Sequence, residues 1–285
     1  KTALQIYTDN AQYTDIALMY CDIATIRKQL GQNNRSLNDY SQALMLLSSV
    51  KDHGTRGYIL SNAAIAYADR GDAESAASFF EESIKIAQKT KDPQAEATRH
   101  GNYGWFLMSV GKLEEALKIL DKAIQQSQRL GLILQTAVQT DNIGLVYNDM
   151  GNYEQAIDYH RRALEMIKEI DSPQWEATIG VNLGHTLASL GQLDEASSHF
   201  AAALETGRET RNMEIIACAL IGQTKTALEL NQIKIAEKPI NEAVALARKY
   251  ELSRMLARAL TIRGDFYYRS DQANEASADW DEASK

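Results

Sequence analysis

The sequence predicts an all-α protein, an α-solenoid of about seven antiparallel helix pairs with no sheet. Three observations predict it. A turn glycine recurs every 40 residues, at Gly31, Gly71, Gly111, Gly151 and Gly191, and the register continues through Asn231 and Asp271, two residue types that also tolerate turns. Three columns of small residues keep fixed distances from that anchor. The composition, 45% hydrophobic with only 3 Pro in 285 residues, suits packed helices. A long period held without an insertion is the mark of stacked units, each burying its apolar face on its neighbours.

The elements follow in order. The opening stretch "KTALQIY" matches the end of a second helix, because Ala3 stands 40 residues before Ala43; it is expected to close a partial unit over residues 1–12. In each full unit a first helix, A, runs up to the anchor. Seven residues before the anchor it carries Ala24, Ala64, Gly104, Gly144, Gly184, Thr224 or Gly264. A short turn leads into helix B, whose small residues fall five positions after the anchor (Ser36, Ala76, Ala116, Ala156, Ala196, Ala236, Ala276) and twelve after it (Ala43, Ser83, Ala123, Ala163, Ala203, Ala243, Ala283). Small side chains at fixed spacing let neighbouring backbones approach. Between them, nine after the anchor, Tyr40, Phe80, Leu120, His160, Phe200, Ile240 and Trp280 act as knobs that fill the space between helices.

Helix boundaries carry their own signals. Asp72 and Asn152 follow the anchor as expected N-caps, and Gln155 three residues after Asn152 completes a capping-box pattern. "KDPQ" and "DSPQ" place Pro93 and Pro173 at the start of the next helix, where a fixed φ and a missing donor do no harm. Pro239 falls inside helix B of the sixth unit, so a kink or a late helix start is expected there. Neither end resembles a polar capping helix. The whole of 1–285 is therefore expected to be a single solenoid domain and a segment of a longer protein, with weak self-association through its uncapped ends.

Charge and motifs exclude several functions. A formal net charge of -8 offers no attraction for phosphate backbones, so no nucleic-acid partner is expected. There is no apolar run long enough for a bilayer and no signal-like start, which predicts a cytoplasmic protein with no membrane partner. Cys21 and Cys218 lie about five units apart, too far for a disulfide. The five histidines share no place in the repeat and form no HExxH, and no cysteine pair has zinc spacing, so no metal and no cofactor are expected. "GWFLMSVGK" has the wrong spacing for a phosphate loop, with Gly111 already explained as a turn. The chain is read as not an enzyme.

A glycine at the eighth place of helix A, an alanine early in helix B, an aromatic four residues later and another alanine three after that resemble the tetratricopeptide repeat, over essentially the whole chain. The common unit has 34 residues. The 40-residue spacing resembles the long-helix branch that includes Leu-Gly-Asn repeat proteins, kinesin light chains, and bacterial regulators and signalling ATPases with helical sensor arms. The first unit departs from the pattern with Arg27 and Asn33 at apolar places, and the sixth with Gln223 at an apolar place and Thr224 at the small one. The resemblance implies a right-handed superhelix whose concave face is lined by the A helices and holds an extended peptide or a partner helix.

Two residues before the small column of helix A lie Asp22, Asn62, Asn102, Asn142, Asn182, Gly222 and Ile262. Four asparagines in a row can hydrogen-bond a peptide backbone without reading its side chains, as the resemblance implies. The other reading has them solvated or bonded to neighbouring helices. Tyr58, Trp105, Met108 and Leu145 are candidates for an apolar pocket floor, against a reading in which Trp105 is packed between repeats. Asp69, Asp141 and Asp149 would favour a basic ligand residue. His185 joins the groove set, and Lys225, Arg254, Arg258 and Arg269 add positive charge toward the C-terminal end. Arg254 and Arg258 share a helix face and could grip a carboxylate; the alternative is a solvated surface with Glu251 and Asp265 as weak helical partners. The expected function is a scaffold or sensor arm that binds a peptide, a protein segment or another domain of its parent chain. The alternative is a regulatory or self-association arm of a multidomain signalling ATPase or enzyme that senses a small ligand.

Overall fold

The computed structural model describes the backbone of residues 3–29 and 32–284, with side chains described for residues 12–28 and 32–284. Among the described residues there is no strand, and the protein is all-α. The expected anchor Gly31 lies outside the described residues. The A helices are α1 (Ala3–Gln29), α3 (His53–Asp69), α5 (Pro93–Ser109), α7 (Ile133–Asp149), α9 (Pro173–Ser189), α11 (Met213–Glu229) and α13 (Ser253–Arg269). The B helices are α2 (Asn33–Leu46), α4 (Ala73–Thr90), α6 (Leu113–Arg129), α8 (Tyr153–Glu169), α10 (Leu193–Glu209), α12 (Ile233–Lys249) and α14 (Ala273–Ala283). A 3-10 turn, Leu47–Ser49, follows α2. Two compact units form, 1–139 and 140–285, with the boundary inside the sequence of α7.

The turns explain the period. Gly71, Gly111, Gly151 and Gly191 take left-handed φ of 76° to 83°, and Asn231 and Asp271 follow at 57° and 59°. After α5, Lys112 N–H reaches Leu107 O (2.9 Å) and Gly111 N–H reaches Met108 O (3.0 Å), which closes the last carbonyls of the helix. A second left-handed set, Lys91, Gly131, Asp171, Arg211 and Glu251, lies midway between the anchors and ends the B helices. Only one of these five is glycine, so the sequence pattern conceals them. The 40-residue unit is thus two nearly equal helix-and-turn halves.

Side chains decide how tightly the halves pack. Ala76, Ala116, Ala156, Ala196, Ala236 and Ala276 have no exposed surface. Where the small column of helix A is glycine, the knob sixteen residues on fills the gap: a Cβ on Gly104, Gly144, Gly184 or Gly264 would come within 2.6, 2.7, 2.9 or 2.3 Å of Leu120, His160, Phe200 or Trp280. Thr224 substitutes for glycine by turning its hydroxyl onto Leu220 O in its own helix (2.7 Å). Arg27, at an apolar place, pairs with Asp39 on α2. The same position pair is Tyr67–Phe79 in the next unit, with rings 5.0 Å apart, and Tyr147–Tyr159 in the fourth, at 5.3 Å.

Four local expectations need comment. Asp72 caps α4 by accepting from Ser75 N–H (3.1 Å), as expected. Asn152 does not cap α8 with its side chain, so the box with Gln155 does not form; the turn closes on the backbone alone, with Ala156 N–H on Asn152 O at 3.0 Å. Pro239 causes no late start, since α12 begins in register at Ile233. The carbonyl that Pro239 leaves without an N–H belongs to Ile235, a residue 61% exposed, where water can serve it. Residues 3–12 are not set off by a turn, because Ala3–Gln29 is one helix.

Candidate functional site

Within residues 1–139, α3 and α5 run side by side and leave a cleft of about 390 Å³. Tyr58, Ser61 and Asn62 line it from α3, and Thr98, Arg99 and Asn102 from α5. Three of these six, Tyr58, Asn62 and Asn102, belong to the set expected from the sequence. Tyr58 is half exposed where it lines the cleft. Each asparagine also uses its amide inside the fold. Asn62 Nδ2 donates to Cys21 Sγ (3.5 Å) and Asn102 Nδ2 to Ser61 Oγ (3.5 Å), both on the A helix of the preceding repeat. These bonds are long, and both asparagines remain half-buried.

Arg99 was not anticipated. Its column is otherwise mostly apolar, and it is 6% exposed with no carboxylate within 4.0 Å among the described residues. Backbone carbonyls hold it instead: Nη1 donates to Ser83 O (2.7 Å) and Nη2 lies 3.4 Å from Gly54 O. Gly57 makes the room, since a Cβ there would lie 2.7 Å from the guanidinium. Burial lowers the Arg99 pKa from its ordinary value, opposed by the nearby Asp92. A charged residue in an apolar column, facing a glycine about one repeat earlier, was the signal available in the sequence. Trp105 and Met108 are half-buried farther along α5 and do not line the cleft.

Within residues 140–285 the ladder asparagine Asn182 donates to Asp141 Oδ2 (2.8 Å), and Asp141 Oδ1 also accepts from His160 Nδ1 (2.6 Å). Asp141 is 5% exposed, so its carboxylate is engaged within the packing. Asn142 and Leu145 are half-buried, and Asp149 is exposed at the end of α7. The ladder stops at Gly222 for a steric reason: a Cβ there would lie 2.3 Å from the Phe200 ring.

His185, Lys225 and Arg258 come together from α9, α11 and α13. Arg258 Nη2 lies 3.3 Å from His185 Nε2. Burial, then Arg258, then Lys225, push the His185 pKa down to about 3. Arg254 is exposed one turn before Arg258, and the expected partner Glu251 is not within 4.0 Å of it. Arg269 does not join them. It donates to Leu228 O and lies 3.4 Å from Glu229, rather than pairing with Asp265. Cys21 and Cys218 are both free thiols. No cluster of potential metal ligands and no helix long and apolar enough to cross a membrane occurs among the described residues.

A stack of A and B helices with small residues at each crossing defines a helical-repeat protein. The chain belongs to the tetratricopeptide repeat family: that family's model matches residues 15–89 and 94–169, more than half of the chain, and a second tetratricopeptide repeat model matches 177–212. A model of anaphase-promoting complex subunit 5 matches residues 217–267. No curated protein sequence matches the chain. Among solved structures the chain is similar to aspartyl phosphate phosphatase F from Bacillus subtilis, at 16% identity and a TM-score of 0.75, covering 98% of this chain and 73% of that one. It is similar to the Rap conjugation gene regulator of plasmid pLS20, a structure in complex with the Phr* peptide, at 17% identity and a TM-score of 0.69, covering 92% and 72%. It is also similar to a signal transduction ATPase with numerous domains carrying a tetratricopeptide repeat sensor, from Pyrococcus horikoshii, at 20% identity and a TM-score of 0.68, covering 94% of this chain and 41% of that one.

Proposed function

We propose that the chain is a non-catalytic binding scaffold, one repeat domain that holds an extended peptide or protein segment against its A helices. The α3–α5 cleft carries this reading, because it gathers Tyr58, Asn62 and Asn102 around about 390 Å³ of open space. An amide that donates weakly inside the fold still has an oxygen and a second N–H to offer a passing backbone, and Tyr58 adds an apolar surface for a side chain. A similar fold in complex with the Phr* peptide supports the choice of a peptide as ligand. Selection from a randomised peptide library should enrich sequences that bind this protein. Replacing Asn62 and Asn102 together by alanine should then weaken an enriched peptide about tenfold, with the melting temperature nearly unchanged. Wild-type affinity in a destabilised double variant would assign the asparagines to packing alone.

A second reading rests on the similarity to a repeat sensor within a signalling ATPase, of which this chain spans 41%. In that reading the peptide groove answers to another domain of the parent chain. Enrichment of no peptide from the library, together with binding of the isolated chain to a neighbouring domain of its own parent, would favour it.

A further inference from the structure

We infer that copies of this chain associate head to tail, the exposed apolar face of α1 in one copy packing on α13 and α14 of a second copy. The contact repeats one made within the chain, where α3 packs on α1 and α2. It does not involve the α3–α5 cleft.

The repeat register shows what each face lacks. On α1, Met19 is 62% and Ile26 56% exposed. One repeat later the same places hold Ile59 and Ala66, both fully buried in a core that Ala17, Cys21, Tyr40 and Ala43 share from α1 and α2. The same two columns stay buried farther on, at Ile179 and Ala259 and at Phe106 and Val146. On α14, Trp280 is 37% exposed, whereas every other knob of its column, from Tyr40 to Ile240, is at most 1% exposed. Thr261 on α13 is exposed too, although its counterparts Cys21, Ser61, Asp141 and Ile221 are buried.

The two faces are the halves of one interface. Met19 and Ile26 would stand to Ala257, Thr261, Trp280 and Ala283 of a second copy as Ile59 and Ala66 stand to Ala17, Cys21, Tyr40 and Ala43 within the chain. Burying large apolar side chains on both sides drives the contact. A polar contact repeats with it. On the ladder column Asn62 donates to Cys21, Asn102 to Ser61 and Asn182 to Asp141, each on the preceding A helix. Asp22 opens that column and is exposed, and its counterpart partner is Thr261 of a second copy. The Thr261 hydroxyl, which donates to Ala257 O in its own helix, can turn to donate to that carboxylate. Because the two faces differ, the contact is heterologous and can continue beyond two copies.

Sedimentation velocity over a concentration series tests the inference. The average mass of the wild type should rise with concentration and pass that of a dimer. Met19→Glu with Ile26→Glu spoils the α1 face, and Ala257→Glu with Thr261→Glu spoils the other; all four positions are exposed or half-buried. Each double variant alone should associate about tenfold more weakly than the wild type, or less still. Mixed in equal amounts, the two should form a heterodimer through their remaining faces and nothing larger. A wild type that stays monomeric at millimolar concentration would overturn the inference. So would either variant alone associating as strongly as the wild type, since a face would then be pairing with itself. Should a variant fold poorly, hydrogen exchange of the wild type decides: α1 and α13–α14 should gain protection together as concentration rises, and a gain at one face only, or at neither, would refute the contact. The variant Asn62→Ala with Asn102→Ala should associate as the wild type does, so failure of the peptide reading and failure of this one are separable.

Discussion

His160 Nδ1 lies 2.6 Å from Asp141 Oδ1, and the second oxygen of that carboxylate accepts from Asn182 at 2.8 Å. His160 stands in the knob column, where other units place Tyr, Phe, Leu, Ile or Trp, and it has no exposed surface. A ring of suitable size fills the space beside Gly144, but its polar edge requires a partner, which Asp141 provides. Its other nitrogen, Nε2, is buried without one. Position 160 and position 141 are therefore one paired change relative to the apolar units. His160→Phe alone should strand the buried carboxylate and cost about 2–3 kcal/mol. Combining it with Asp141→Val should recover most of that loss, since an apolar pair of similar volume replaces a buried polar one. Urea unfolding of the two single variants and the double measures the coupling, and strictly additive changes would show that the two side chains act independently.

The small columns give a simpler expectation. Ala156 and Ala196 have no exposed surface at the crossings of α8 and α10 with their neighbours. Replacing either by leucine should overpack its crossing and lower stability by about 1–3 kcal/mol. A thermal or urea midpoint unchanged within error would mean that the helices can separate at no cost, against the packing described.

Legibility followed periodicity. The anchors, the small columns and the knobs repeat at fixed spacing because stacking forces the same contact in each unit, so the helix pairs could be read from residues such as Gly104 and Leu120. Positions that break the period were harder. Arg99 could be found only by pairing it with Gly57, and neither repeats. Asp141 read as a surface charge because its partner His160 lies on another helix, nineteen residues away. The B-helix turns were hidden because Lys91, Asp171, Arg211 and Glu251 adopt a left-handed φ without being glycine. Of the groove residues, Tyr58, Asn62 and Asn102 came together, while Arg269 went to the carbonyl of Leu228.

His185 makes stability depend on pH in a stated direction. Its pKa is about 3 in the fold against an ordinary 6.5, so below about pH 6.5 the unfolded chain takes up a proton that the folded chain refuses. Stability should fall as pH drops from about 6.5 toward 3, with a slope of up to about 1.4 kcal/mol per pH unit from this one group. Carboxylates titrate in the same range, so the comparison is between the wild type and His185→Gln. Denaturant unfolding at pH 7, 6 and 5 should show a shallower fall for the variant. Parallel curves would place His185 in contact with solvent.

The end of the asparagine ladder supplies a prediction whose sign is decisive. In an ordinary exposed helix, Gly→Ala stabilises by about 1 kcal/mol, because alanine loses less backbone freedom on folding. At Gly222 a Cβ would lie 2.3 Å from the Phe200 ring, and the same ring already packs at 2.9 Å from the place of a Cβ on Gly184. Phe200 is fully buried and has no room to retreat from both helices. Gly222→Ala should therefore destabilise by about 1–3 kcal/mol despite the gain in propensity. Shortening the knob should reverse the effect: in the third unit Leu120 fills the corresponding place, so Gly222→Ala should cost less on a Phe200→Leu background than on the wild type. Equilibrium unfolding of the four proteins checks it. A stabilising Gly222→Ala would mean that the Phe200 ring does not close off this position, and the ladder would then end for want of a ligand contact rather than for want of space.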